Sequence, residues 1–131
     1  MEIELEKSLE KLLVWNKTRA LRIRISQLVK RIPDQEKLRL SDQMIRCSRS
    51  ISANIAEGYG RFHFQDSIRF YIIARGSLIE LLDHLYVCID ENFITQETFN
   101  NFREEIYDCL KMLNGYIKYV RNQIKKKPPT T

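Results

Sequence analysis

The polar side chains best suited to chemistry stand in the middle of the chain: Asn54, Glu57, Arg61, Arg75, Ser77 and Glu80. Two carboxylates, Glu57 and Glu80, are the raw material of general acid–base work or of a metal site. Both chemistries need further partners, and the local spacing offers none. No His or Asp stands at ligand spacing beside either glutamate, and His63 and His84 are 21 residues apart with no Cys/His cluster to complete a site. There is no Gly-x-Ser-x-Gly turn and no P-loop; Gly58-x-Gly60 lacks the spacing that cradles a phosphate. The expectation is a protein with no catalytic residue, no metal and no cofactor. A buried Asn or carboxylate is costly unless hydrogen-bonded, so these six residues are expected to form a satisfied polar network. It would tie the second helix to the third, with Arg61 or Arg75 pairing Glu57.

A second kind of chemistry is electrostatic. The formal net charge is +5, and its distribution is uneven. Between Lys11 and Arg31 there are seven basic residues and no acid, and between Lys118 and Lys127 five and no acid. Residues 62–93 reverse the balance, with two basic residues against five acidic. Lys111, Lys118 and Lys125 recur every seven residues, with Arg121 beside them and Tyr107 on the same side. Lys17, Arg24 and Arg31 repeat that spacing earlier in the chain. One meaning is a solvated flank whose long stems cover apolar surface. The other is a groove that follows the phosphates of RNA or DNA with little sequence preference.

The elements that must position these groups are helices. With 44% apolar and 30% charged residues the composition is that of an ordinary globular domain. Only four glycines and three prolines interrupt 131 residues, which favours long helices over strands and turns. The first helix is expected from about Glu4 to Arg31, ending before Ile32-Pro33 because proline disfavours helix in the residue ahead of it. Val14, Leu21, Ile25, Leu28 and Ile32 form its main apolar face. The second runs from Leu40 or Ser41 to Glu57, with Ser41 as N-cap and Gly58-Tyr59-Gly60 as a glycine stop. Its inward face is Met44, Cys47, Ser48, Ile51, Asn54, Ile55 and Gly58. The third, Phe64 to Glu91, is apolar over more than half its circumference, as in a central helix or one at a subunit contact. The fourth starts after Thr95 as N-cap and reaches Lys126.

Short connections make these an all-α, antiparallel, up-and-down four-helix bundle in one domain over residues 1–127, with 128–131 a disordered tail. No apolar run approaches the roughly 20 residues that span a bilayer, and the N-terminus lacks a signal peptide's basic and apolar regions. The expected setting is the cytoplasm, without a membrane partner. Cys47, Cys88 and Cys109 are odd in number and widely spaced, so they are expected as buried free thiols.

The first helix also carries a second apolar face, Leu5, Leu9, Leu12 and Ile23, with Trp15 at its edge. Met112, Tyr116 and Tyr119 on the fourth helix make a matching patch outside the core. Self-association accounts for both, since monomers rarely leave such surfaces in water and Trp and Tyr anchor interfaces.

Several motifs point one way. Trp15, Ile32-Pro33-x-x-Glu36, Leu40-x-x-Gln43, Ser50-Ile51-x-x-Asn54-Ile55-Ala56-Glu57-Gly58, Gly60-Arg61 and Ala74-x-Gly76-Ser77-Leu78-x-Glu80 occur in this order. Over about residues 10–120 the chain thereby resembles the four-helix-bundle family encoded by intervening sequences in bacterial large-subunit ribosomal RNA genes. The resemblance implies a homopentamer whose molecular role is not established. A related bundle, the accessory protein of diversity-generating retroelements, is a basic pentamer that binds nucleic acid and partners a reverse transcriptase. The chain carries the intervening-sequence version of the central motif. The main expectation is therefore a non-enzymatic, homo-oligomeric scaffold or adaptor, and the alternative is a basic ring that binds RNA or DNA beside a nucleic-acid enzyme.

Overall fold

Apolar residues recurring every three or four positions close into four long helices in the computed structural model, which describes residues 9–126. We number them α1 (Leu13–Leu28), α2 (Asp42–Tyr59), α3 (Phe64–Asp90) and α4 (Gln96–Lys126). Each packs on the next, and α4 returns to α1. This cycle of neighbours is an antiparallel four-helix bundle, as expected. The predicted tail at 128–131 and the predicted start at Glu4 lie outside the described residues. Among the described residues no helix is long and apolar enough to cross a membrane.

The core is the set of stripes that the periodicity marks. Val14, Leu21, Ile25, Leu28 and Ile32 are buried from α1 and its exit, and Met44, Ile51 and Ile55 from α2. Tyr71, Ala74, Leu78, Leu81 and Leu85 are buried from α3, and Phe99, Phe102, Ile106, Leu113, Ile117 and Val120 from α4. Cys47, Cys88 and Cys109 are buried and free. Every buried side-chain nitrogen and oxygen among the described residues has a hydrogen-bond partner. Thr18 is an example: fully within the core, it donates to the Trp15 carbonyl at 3.0 Å.

Three ends differ from expectation. The first helix is not continuous: Leu12 is extended (φ −76°, ψ 109°) and separates a helical turn at 9–11 from α1. Asn16 bridges the break, its amide donating to the carbonyls of Glu10 and Leu12 at 2.6 and 3.1 Å. Such a side-chain bond gives the backbone an alternative to the helical ladder. Ser41 is not an N-cap either. A π-helical turn, Lys37–Ser41, leads into α2, so Ser41 already has helical angles and its buried side chain caps nothing. Nor does a left-handed glycine stop α2, because Gly60 keeps right-handed angles (φ −79°). The left-handed stop belongs to α3, where Asn92 has φ 61°. Its amide bonds the Ile89 carbonyl and the Phe93 amide bonds that of Cys88, the paired closure of a Schellman end. Thr95 caps α4 as expected, accepting from the Thr98 amide at 3.1 Å.

Gly58 has another use. A Cβ there would lie 2.6 Å from Tyr71 Cε1 and 3.0 Å from the Ser67 carbonyl oxygen, so glycine lets α2 and α3 touch at their shared corner. Trp15, the only tryptophan, packs half-buried against the core with the Arg19 guanidinium 5.9 Å from its ring centre.

Candidate functional site

The six central polar residues do not gather into one network. Asn54 is half-buried and turns back on its own helix, donating to the Ser50 carbonyl at 2.8 Å and its hydroxyl at 3.0 Å. Ser50 in turn meets the Ser77 hydroxyl at 3.1 Å, a contact between α2 and α3. Glu57 pairs with Arg61 at 2.8 Å, but its side chain is 54% exposed, so the pair is a surface one worth little. Arg61 also lies over the Phe70 ring at 4.6 Å. Arg75 reaches across to α4 and donates to Asn114 at 2.9 Å. Glu80 stands apart from Glu57 in its own cluster, described below.

The basic positions also divide. Arg24 forms an ion pair with Glu105, a nearly buried carboxylate on α4, and lies 4.5 Å over the Phe102 ring. Lys17 is half-buried near Cys109 on α4. Arg31 is exposed in a shallow recess with Arg24, Thr98 and Asn101. Thus the α1 series faces the α1/α4 seam, and Arg24 is neutralised there. Lys111, Lys118, Arg121 and Lys125 are all exposed on α4, and none pairs with an acid among the described residues.

Of the expected self-association residues, Leu5 lies outside the described residues. Leu12 and Trp15 pack against the chain's own core, and Leu9 is half-buried. Ile23, Met112 and Tyr119 remain exposed. Tyr116 is half-buried, edge-on to Tyr71 at 5.3 Å and stacked on Tyr119 at 5.9 Å. The more extensive apolar surface is on α3. Ile72, Ile79 and Tyr86 are 47%, 46% and 42% exposed at seven-residue spacing, with Ile73 and Val87 beside them. Gly76 lies within this stripe, and a Cβ there would meet nothing within 4 Å. Seven-residue recurrence on a helix flank is the pattern of a seam with another helix.

One constellation escaped the sequence reading. Sγ of Cys47, a carboxylate oxygen of Glu80 and a ring nitrogen of His84 all lie within 4.8 Å of one another. Cys47 projects from α2; Glu80 and His84 are one turn apart on α3, with Nε2 3.2 Å from Oε2. This corrects the expectation that no histidine stands at ligand spacing beside Glu80. The Glu-x-x-x-His step was legible in the sequence; the thiol comes from another helix. Burial pushes the Cys47 thiol up to about 12, and the Glu80 carboxylate adds to the effect. The thiol donates to the Ser77 carbonyl at 3.0 Å.

Fold and surface together define a class: an antiparallel four-helix bundle with an apolar flank on α3 and a basic flank on α4. Within it the chain belongs to the 23S rRNA-intervening sequence protein family, whose sequence profile matches residues 10–115. It is also similar to a crystal structure of a protein of unknown function from the S23 ribosomal protein family of Bacteroides thetaiotaomicron. That similarity has a TM-score of 0.75 and 28% identity over 81% of this chain and 96% of the other. No curated protein matches the chain.

Proposed function

We propose that this chain is a non-enzymatic building block of the cytoplasm that assembles with copies of itself into a ring-shaped scaffold. The observation that carries this is the uncovered stripe of Ile72, Ile79 and Tyr86 along α3. Apolar side chains so aligned gain about 25 cal/mol for each Å² they remove from water, and a second helix is the natural cover. The other exposed apolar groups support head-to-tail closure. Ile23 lies in the α1/α2 seam beside Ile45, whereas Tyr119, stacked on the half-buried Tyr116, lies towards α3 on α4. In a cycle of four helices these are opposite sides, and unlike surfaces on opposite sides build rings rather than two-fold dimers. The family resemblance supports five copies.

Mass in solution tests this. Light scattering on the wild-type protein should give a multiple of the 15.7 kDa chain. Ile79→Glu, a change at an exposed position, should return the single-chain mass with helical circular dichroism intact. Wild-type protein that stays at the single-chain mass at micromolar concentration rules the scaffold out.

A second reading is that the assembled protein binds RNA or DNA through backbone charge. What favours it is the exposed row of Lys111, Lys118, Arg121 and Lys125, none of them paired with an acid among the described residues, which a ring would repeat on every copy.

A further inference from the structure

We propose that Cys47, Glu80 and His84 form a binding site for a zinc-like divalent cation, which would staple α2 to α3. The three donors converge on one point from two helices, all within 4.8 Å. Zinc bonds of about 2.0–2.3 Å at tetrahedral angles place ligand atoms about 3.3–3.8 Å apart. The existing 3.2 Å between Nε2 and Oε2 is already close to this. Glu80, whose side chain is 59% exposed, is free to adjust on binding, while Cys47 and His84 are buried.

The donor set selects the metal. Thiolate and imidazole suit zinc, cobalt or copper and are poor ligands for magnesium or calcium. Three protein ligands leave a fourth position open on the solvent side, where Glu80 lies, for a water molecule. On binding, the Cys47 S–H bond breaks, its proton passes to solvent and Sγ bonds the cation. The Ser77 carbonyl loses its thiol donor. The exchange needs no oxidant and no second substrate.

All three donors come from one chain, so binding needs no second copy. The test is titration of reduced, chelator-treated full-length protein with cobalt(II) and then zinc chloride. One cobalt per chain is expected, with a near-ultraviolet thiolate-to-cobalt charge-transfer band that zinc displaces. Cys47→Ser should abolish the band and, like His84→Gln, weaken zinc binding by about 100-fold or more; Glu80→Gln should cost about tenfold. Cys88→Ser, Cys109→Ser and His63→Gln should leave band and affinity unchanged. Because Glu80 is largely exposed, its variant folds whatever happens to the other two. Zinc should also raise the melting temperature of wild type but not of Cys47→Ser. Absence of the band in wild type, its survival in Cys47→Ser, or unaltered zinc affinity in Glu80→Gln would each overturn the site.

Discussion

Replacing Gly58 with alanine tests the α2/α3 corner, because the same substitution elsewhere should have the opposite sign. Alanine normally favours a helix by about 1 kcal/mol over glycine, and less near a helix end. At Gly58 the added methyl would stand 2.6 Å from Tyr71 Cε1 and 3.0 Å from both Tyr71 Cδ1 and the Ser67 carbonyl oxygen. Carbon atoms rest at about 3.5–4.0 Å, so the helices must part by roughly 1 Å or Tyr71 must leave its place. Tyr71 has nowhere to go: it is 2% exposed and packed on Tyr116. Overpacking of this kind costs about 1–3 kcal/mol. After the helix gain, Gly58→Ala should destabilise the protein by about 1–2 kcal/mol, lowering its melting temperature by about 3–10 °C at this chain length. Gly115, also within a helix, meets nothing within 4 Å, and Gly115→Ala should stabilise by about 0.5–1 kcal/mol. Urea melts at one fixed protein concentration measure both. In a Tyr71→Leu background the cost of Gly58→Ala should shrink, though not vanish, because the Ser67 carbonyl remains. Equal or greater stability of Gly58→Ala in the parent would refute the steric account of that corner.

Two further predictions follow from charge and from the thiols. If nucleic acid is bound, replacing Lys118, Arg121 and Lys125 with alanine should reduce the log–log salt slope by about 0.7–0.9 for each lost phosphate contact. Unaltered binding to single-stranded RNA and duplex DNA across 50–200 mM salt, over which the Debye length falls by about half, would show that these are the wrong residues. Burial pushes Cys88 and Cys109 from 9.0 up to about 11, so above pH 9 the unfolded thiols ionise while the native ones keep their protons. The unfolded state then binds fewer protons, and stability falls with rising pH by up to about 1.4 kcal/mol per unit for each thiol. It should be level below pH 9 and decline between 9 and 11, less steeply in Cys88→Ala. A urea midpoint that is flat through this window would contradict the thiols' burial.

The core was legible because burial on a helix follows one period. Val14, Leu21, Ile25 and Leu28 sit where 3.6-residue spacing puts them. Local chemistry was also legible: Pro33 leaves Ile32 extended, and the Thr95 hydroxyl caps α4. What failed was whatever depends on competition or on a second helix. Ser41 looks like a cap in isolation, but the π-helical turn before it already supplies the helical register. Leu12 breaks the first helix through an Asn16 side-chain bond that propensity does not register. Asn54 was expected to reach α3 and instead finds a partner on its own helix at Ser50. The cluster of Cys47 with Glu80 and His84 exists only once α2 lies against α3, so half of it was visible and half was not.

Trp15 gives the molecule a built-in optical reporter. As the sole tryptophan it supplies the long-wavelength ultraviolet emission of the chain without labelling. Its ring packs half in water and half against the core, at the start of α1 just past the Leu12 break. Its emission colour should therefore track whether this end of α1 is docked. Fraying there would redden the signal while the α2–α3 pair stays folded, separating a loosened edge from global unfolding in a single cuvette.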